Sequence, residues 1–217
     1  MTWFFISIFA FLAGHMVPGL FRRALVARLG TPLYVLFFSL VSTGLLVWVV
    51  AAELQADYIP LWPYDPRAHW VPIIAMLPVC ILWVAAVRQP CPLSIGHARG
   101  YNPDHPGINL LTRHPLLLGV VIWGLAHMAP NGHLAAVIFF GGSALFALLG
   151  MGRMEKMRLR QLGASEFNRL CTGTRRFNWR GLLNGALDWR DVTGGIILYG
   201  MIIWLHPIVL GRDPLAF

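Results

Sequence analysis

Charge is scarce in this chain: Asp, Glu, Lys and Arg together make up 12% of its 217 residues. A soluble domain carries about 25%. Acidic side chains are scarcest, nine in all, and Glu53 and Asp57 sit at one predicted helix end, where water reaches them. The predicted spans therefore hold few catalytic acids or bases. Cysteine is nearly absent. Cys80, Cys91 and Cys171 form no CxxC and cannot all pair; Cys80 falls inside a predicted span and the others on the predicted cytoplasmic side, where a structural disulfide is not expected. Cys91-Pro92 is a weak haem-contact dipeptide and reads first as a loop. There is no HExxH, no CxxCH and no Cys/His pair at zinc-finger spacing, which removes support for a zinc hydrolase or a c-type haem. The first apolar run has no basic leader and no small-residue cleavage site, so it reads as a retained helix.

What the chain does have is hydrocarbon. Hydrophobic residues make up 57% and the mean hydropathy is +0.64. A bilayer core needs ~20 apolar residues per helix. Six runs approach that length: Trp3–Phe21, Leu33–Ala52, Trp70–Val87, Pro115–Ala129, Leu134–Gly150 and Val192–Leu210. The expected fold is all-α, a polytopic transmembrane bundle of about six spans in one domain over residues 1–217. Pro130-Asn131-Gly132 is a tight turn that makes spans four and five a hairpin. The net charge of +8 would suggest nucleic acid in a soluble protein. Here fifteen of the seventeen Lys and Arg residues fall in three alternate loops, leaving Arg67 and Arg212 on the other side. By the positive-inside rule both termini face the periplasm. The expected location is a bacterial inner membrane, with lipid and no nucleic acid as partner. Trp48, Trp62, Trp70, Trp123 and Trp204 fit an interfacial belt or helix packing.

Two loops are long. Arg88–His114 is rich in Pro, Gly and His. Gly152–Asp191 is basic, and its start, with Met154, Met157 and Leu162 on one side, is amphipathic. It suits an interfacial helix on anionic lipid, or a segment that closes a cytoplasmic site with the Arg88–His114 loop.

Histidine in hydrocarbon is costly and points to function. His15 interrupts the first run and His127 the fourth. Each can bind metal, and b-type haem held by two histidines from different helices is the chemistry that fits best. Each can also hydrogen-bond a neighbouring helix, worth about 1 kcal/mol. Counting residues from the span centres separates the two Cα depths by about 12 Å at 1.5 Å rise per residue. His206 lies at a depth closer to His127 and is the alternative partner. His69, His97, His105 and His133 lie at helix ends or in loops and are expected to be solvated. Arg113-His114-Pro115 opens a helix, with Pro in its first turn. Arg113 and His114 could anchor that end at the interface or bind an anion there.

The stretch Thr112-Arg-His-Pro-Leu-Leu-Leu-Gly119, with Trp123-Gly-Leu-Ala-His127, Asn131-Gly132, and His15 followed by Arg22 or Arg23, resembles the NnrU family of bacterial membrane proteins. The 15-cis-zeta-carotene isomerases belong to that family. The resemblance implies a five- or six-helix membrane protein. In the isomerase branch it also implies a b-type haem on two histidines that look like His15 and His127, acting on an apolar polyene. That branch has a cysteine three residues before the second histidine, where this sequence has Gly124. The family's other branch is associated with nitrite and nitric oxide reduction, which would make the protein a non-catalytic accessory with a respiratory reductase as partner.

A second resemblance runs through Arg113-His-Pro, Gly119, Glu155, Arg158, Gly163, Phe167 and Arg175-Arg176-Phe177 to the isoprenylcysteine and phospholipid methyltransferases. It implies an S-adenosylmethionine pocket, with Arg113 and His114 on the cofactor's carboxylate and Glu155 on its amino group or ribose. The usual tyrosine of that motif is Leu117 here, and the usual acidic pair is Glu155-Lys156.

Overall fold

The computed structural model describes residues 1–216, apart from the side chains of residues 17–20 and 23; the reading of Arg23 therefore lies outside the described residues. Among the described residues six principal helices carry the chain: α1 (Thr2–Leu20), α2 (Arg22–Leu54), α3 (Trp70–Arg88), α4 (Pro115–Met128), α5 (Leu134–Cys171) and α6 (Trp189–Leu210). Short 3-10 turns sit at Pro66–His69, Gly107–Leu110 and Trp179–Asn184. Among the described residues there is no strand, only an isolated bridge between Pro60 and His133.

Among the described residues four helical stretches are long and apolar enough to cross a membrane: Ala24–Leu54, Pro66–Arg88, Leu134–Cys171 and Trp189–Leu210. Thr2–Met16 and Pro115–Met128 are apolar but shorter. The outward side chains along these helices are hydrocarbon, as at Phe9, Leu40, Ile74, Leu149 and Trp204. Apolar surface on that scale is costly in water and at no disadvantage in lipid.

Two compact units divide the chain. The first comprises Met1–Trp62 and His133–Phe139. α1 packs along α2, and Phe4, Val49 and Ala135 form the core, with Ile8, Phe11 and Phe139 around it. α2 breaks at Gly30, whose φ of 75° leaves the helical region just before Pro32; the apolar run expected from Leu33 starts directly after. The second unit comprises Pro63–Gly132 and Phe140–Phe217. There α3 is the central helix, packed on α4 and α6. Met76, Val79 and Cys80 meet Trp123, Leu198 and Ile202, and the Tyr199 hydroxyl donates to the Ile73 carbonyl at 2.9 Å. α4 and α5 join through Leu117, Val121, Ala147 and Met151. The pairing of 117 with 151 and 121 with 147 is the antiparallel register expected of the hairpin turned at Pro130–Gly132.

The basic segment after residue 152 is not the long loop that its polarity suggests. α5 continues through it to Cys171, because Arg, Lys, Glu, Met, Gln and Leu are all strong helix formers. The helix breaks at Gly163, where φ is 79°. α6 starts on a capping box: the Asp188 carboxylate accepts from the backbone N–H groups of Arg190 and Asp191, and Asp191 accepts from the Asp188 N–H. Such reciprocal capping satisfies donors that the first helical turn cannot.

Candidate functional site

The Trp123 carbonyl fixes the His127 ring. His127 Nδ1 lies 2.8 Å from that oxygen, one helical turn back. A carbonyl can only accept, so Nδ1 carries the proton, and in the neutral ring Nε2 is the lone-pair nitrogen. The ring stacks on Phe140 at a centroid distance of 5.2 Å, and Trp123 lies 5.4 Å away. Asn131 in the following turn donates its amide to the His127 carbonyl at 2.8 Å. His206 belongs to the same unit; its Nδ1 donates to the Arg212 carbonyl at 2.6 Å.

His15 repeats the arrangement in the first unit. Its Nδ1 lies 3.0 Å from the Phe11 carbonyl, again four residues back, which fixes the same tautomer. Phe11 lies 4.2 Å away and Phe38 meets the ring edge-on at 5.7 Å. Both membrane histidines thus sit among aromatic rings with Nδ1 committed to the backbone. Hydrogen-bonding one imidazole nitrogen while the other binds metal is the usual way to orient a histidine ligand.

Gly124 is dictated by the packing of α4 on α5. A Cβ there would lie 2.5 Å from the Phe140 carbonyl oxygen and 3.2 Å from the Ala144 Cβ. The position that carries cysteine in the isomerase branch has no room for a side chain here. α5 has a π-turn over Val137–Gly141 at this point, a local widening often found at functional sites.

A second constellation gathers at the amino end of α4. Glu155 lies on the extension of α5, and both of its carboxylate oxygens are engaged. Oε1 is 3.1 Å from Arg113 Nη1 and 3.4 Å from His114 Nε2. Oε2 accepts from Arg176 Nε and Nη2 at 2.9 and 2.6 Å. His114 has no solvent exposure. Its Nδ1 is 2.9 Å from the Ser94 hydroxyl, so Ser94 donates there while Nε2–H donates to Glu155. Burial pushes the His114 pKa down, and Glu155 opposes that shift only in part. Arg158 Nη2 donates to the Ser94 carbonyl at 3.3 Å. The amphipathic start of the basic segment therefore closes against the Arg88–His114 loop.

Several expectations are corrected. Glu53 and His133 are not solvated; they pair at 2.9 Å and each is mostly buried. Asp57 is exposed, yet it holds the amino-terminal ammonium at 2.7 Å. Cys91 lies in a loop as expected, but it is fully buried, and burial pushes its thiol up, away from the reactive thiolate. His97 and His105 are exposed, as their loop positions suggest. One polar hub left only a weak cue in the sequence. Asp191, with no exposed side-chain surface, pairs with Arg88 and accepts from Gln89 at 2.6 Å. The cue available was its place at the third position of the α6 capping box. Among the described residues no group of three or more His, Cys, Asp or Glu is arranged to hold a metal ion.

These features define an all-helical membrane protein whose polar side chains cluster at the ends of apolar helices. The chain belongs to the NnrU family: the family model, described as NnrU protein, matches residues 3–214. No curated protein matches the chain, and no solved structure does.

Proposed function

We propose that this NnrU-family membrane protein binds a b-type haem through His15 and His127 and serves as an accessory to respiratory reduction of nitrogen oxides. The observation that carries the reading is the matched state of the two membrane histidines. Each donates Nδ1–H to the carbonyl four residues back, which makes Nε2 the lone-pair nitrogen of the neutral ring. When bound, haem would supply a redox-active iron. The chain's own residues orient the two rings and surround them with Phe11, Phe38, Trp123 and Phe140. His206 is the competing partner for His127. In this reading α1 and α4 also cross the bacterial inner membrane, giving six spans with both termini opposite the basic loops.

The test is the absorption spectrum of detergent-purified protein, oxidised and reduced, for wild type, His15→Ala, His127→Ala and His206→Ala. A six-coordinate haem lost in the first two variants and kept in the third is the expected result. Retention in His15→Ala with loss in His206→Ala moves the second ligand to His206. Wild-type protein with no Soret band and no iron overturns the proposal.

Isomerisation of an apolar polyene is the second reading, favoured by the aromatic setting of both histidines. The packing at Gly124 favours the accessory role, since a cysteine has no space there. Deleting the gene separates the two. Lowered nitrite and nitric oxide reduction supports the accessory role; unaltered reduction with polyene isomers accumulating supports the isomerase. S-adenosylmethionine at Arg113 and His114 fits less well, because its amino group would need Glu155, whose oxygens are already held by Arg113, His114 and Arg176. A colourless protein that binds S-adenosylmethionine would reverse that preference.

A further inference from the structure

The segment between α5 and α6 carries a cleft that neither the haem reading nor the Glu155 cluster uses. It is open, about 430 Å³ in volume, and is lined by Gly173, Thr174, Arg175, Asn178, Arg180 and Asn184. None of these is acidic. Nearby arginines have carboxylate partners: Arg113 and Arg176 share Glu155, Arg169 has Glu166, and Arg88 has Asp188 and Asp191. Among the described residues Arg175 and Arg180 have none within ion-pair distance. The cleft is therefore lined by two arginines that have no carboxylate partner and by two asparagines.

The cleft is preformed. The Arg113 N–H donates to the Arg175 carbonyl at 3.0 Å, and the Asn178 N–H donates to the Leu111 carbonyl at 2.7 Å. The Thr112 hydroxyl donates to the Arg176 carbonyl at 2.5 Å. Gly181 lies so close to the chain that a Cβ there would be 2.4 Å from the Leu110 carbonyl carbon. The Arg180 guanidinium lies 5.7 Å from the Trp179 ring centroid. The backbone of the cleft is therefore already in place when a ligand arrives, which favours binding.

Its surroundings identify the occupant. Phe177, Trp179, Leu182 and Leu183 are all exposed, on a segment whose charged residues between Gly173 and Asn184 are all arginine. That segment leads within a few residues into Trp189, the first residue of a membrane-crossing helix. Exposed aromatic and leucine side chains beside arginines, at the mouth of a membrane helix, suit the boundary between headgroups and acyl chains. Guanidinium is the cation best shaped for phosphate, which it binds through two parallel hydrogen bonds.

We propose that this cleft binds the phosphate headgroup of an anionic glycerophospholipid, with Arg175 and Arg180 on the phosphate and Trp179, Leu182 and Leu183 among the acyl chains.

The test uses delipidated full-length protein in detergent, with lipid adducts read by native mass spectrometry. The probes are phosphatidylglycerol, phosphatidylcholine and free glycerol 3-phosphate. Phosphatidylglycerol should bind most tightly, and Arg175→Gln/Arg180→Gln should weaken it about tenfold. Arg67→Gln/Arg212→Gln removes the same charge from exposed positions outside the basic segments and should leave binding at the wild-type level. Arg175→Lys/Arg180→Lys, which keeps the charge but not the paired hydrogen bonds, should weaken it less, and it serves as the reading if the glutamine pair does not fold. The proposal is overturned if both cleft pairs bind phosphatidylglycerol like wild type, or if the Arg67/Arg212 pair loses as much as the cleft pair. Equal binding of phosphatidylcholine overturns the anionic preference, and equal binding of free glycerol 3-phosphate overturns the choice of a lipid.

Discussion

The Cβ that a side chain would place at Gly124 lies 2.5 Å from the carbonyl oxygen of Phe140. The neighbour is backbone, on a helix held by its own hydrogen bonds, so it cannot swing aside as a side-chain tip would. Gly124→Cys should therefore push α4 away from α5, and overpacking of this kind costs about 1–3 kcal/mol. Thermal unfolding of the detergent-solubilised protein checks it, with Gly124→Ala expected to suffer comparably. A cysteine variant as stable as wild type would mean that the helices slide freely, and the packing objection to a thiol at this position would fall.

That contact shows where the sequence was legible and where it was not. The apolar runs located the helices because hydrocarbon length is a one-dimensional property. Pro130-Asn131-Gly132 located the hairpin because turn chemistry is local. Gly124 reads in sequence only as a missing cysteine, since its meaning depends on a carbonyl sixteen residues later. The basic segment after Gly152 is half legible: its amphipathic start reads as a helix, but that this helix continues the apolar span before it and persists to Cys171 does not show in its polarity. The Arg113-His114 motif announced a site, and Glu155 was named beside it through a resemblance. That Arg176 completes the carboxylate's shell required the folded chain. Asp191 and its pairing with Arg88 carried no motif at all, because a single acidic residue at a helix start looks like a surface cap.

His114 should make the protein less stable in acid. Its folded-state pKa lies below the unfolded value of about 6.5, chiefly because burial disfavours the charged ring. The unfolded chain then binds the extra proton more readily. The stability contributed by neutral His114 is complete above the unfolded pKa and is lost as pH falls from there toward the folded pKa. The slope for one such group reaches about 1.4 kcal/mol per pH unit. Unfolding measured from pH 7.5 down to 5 for wild type and His114→Gln should give curves that differ in slope below about 6.5. Parallel curves would show that His114 titrates alike in both states.

Glu155→Gln should cost far more than Arg176→Gln, although both break the same ion pair. The Arg113 and Glu155 side chains are 17% and 12% exposed; removing the carboxylate strands the Arg113 guanidinium in a poorly hydrated place, a loss of about 3–5 kcal/mol when a buried pair is broken. The Arg176 side chain is 60% exposed, so water screens its pairing and its removal should cost no more than about 1 kcal/mol. Glu155 would still hold Arg113 and His114. Denaturant unfolding of the two variants decides it, and equal losses would mean that the cluster depends on Arg176 as much as on the carboxylate.

Asp191→Asn tests the hub that joins α3 to α6. Every partner of the Asp191 carboxylate is a donor: the Arg88 guanidinium, the Gln89 side-chain amide and the Asp188 backbone N–H. Asparagine offers one acceptor oxygen and an NH2 group, so one of those donors must face another donor inside a site with no solvent exposure. Arg88 also loses its buried counter-ion and keeps only the exposed Asp188. The expected loss is about 3 kcal/mol or more. Asp188→Asn is the control, since asparagine caps a helix about as well as aspartate and the Asp188 side chain is 51% exposed; its cost should be a few tenths of a kcal/mol. Unfolding midpoints for the two variants should therefore separate widely. If they coincide, the charge at residue 191 is dispensable and the capping geometry alone holds α6 in place.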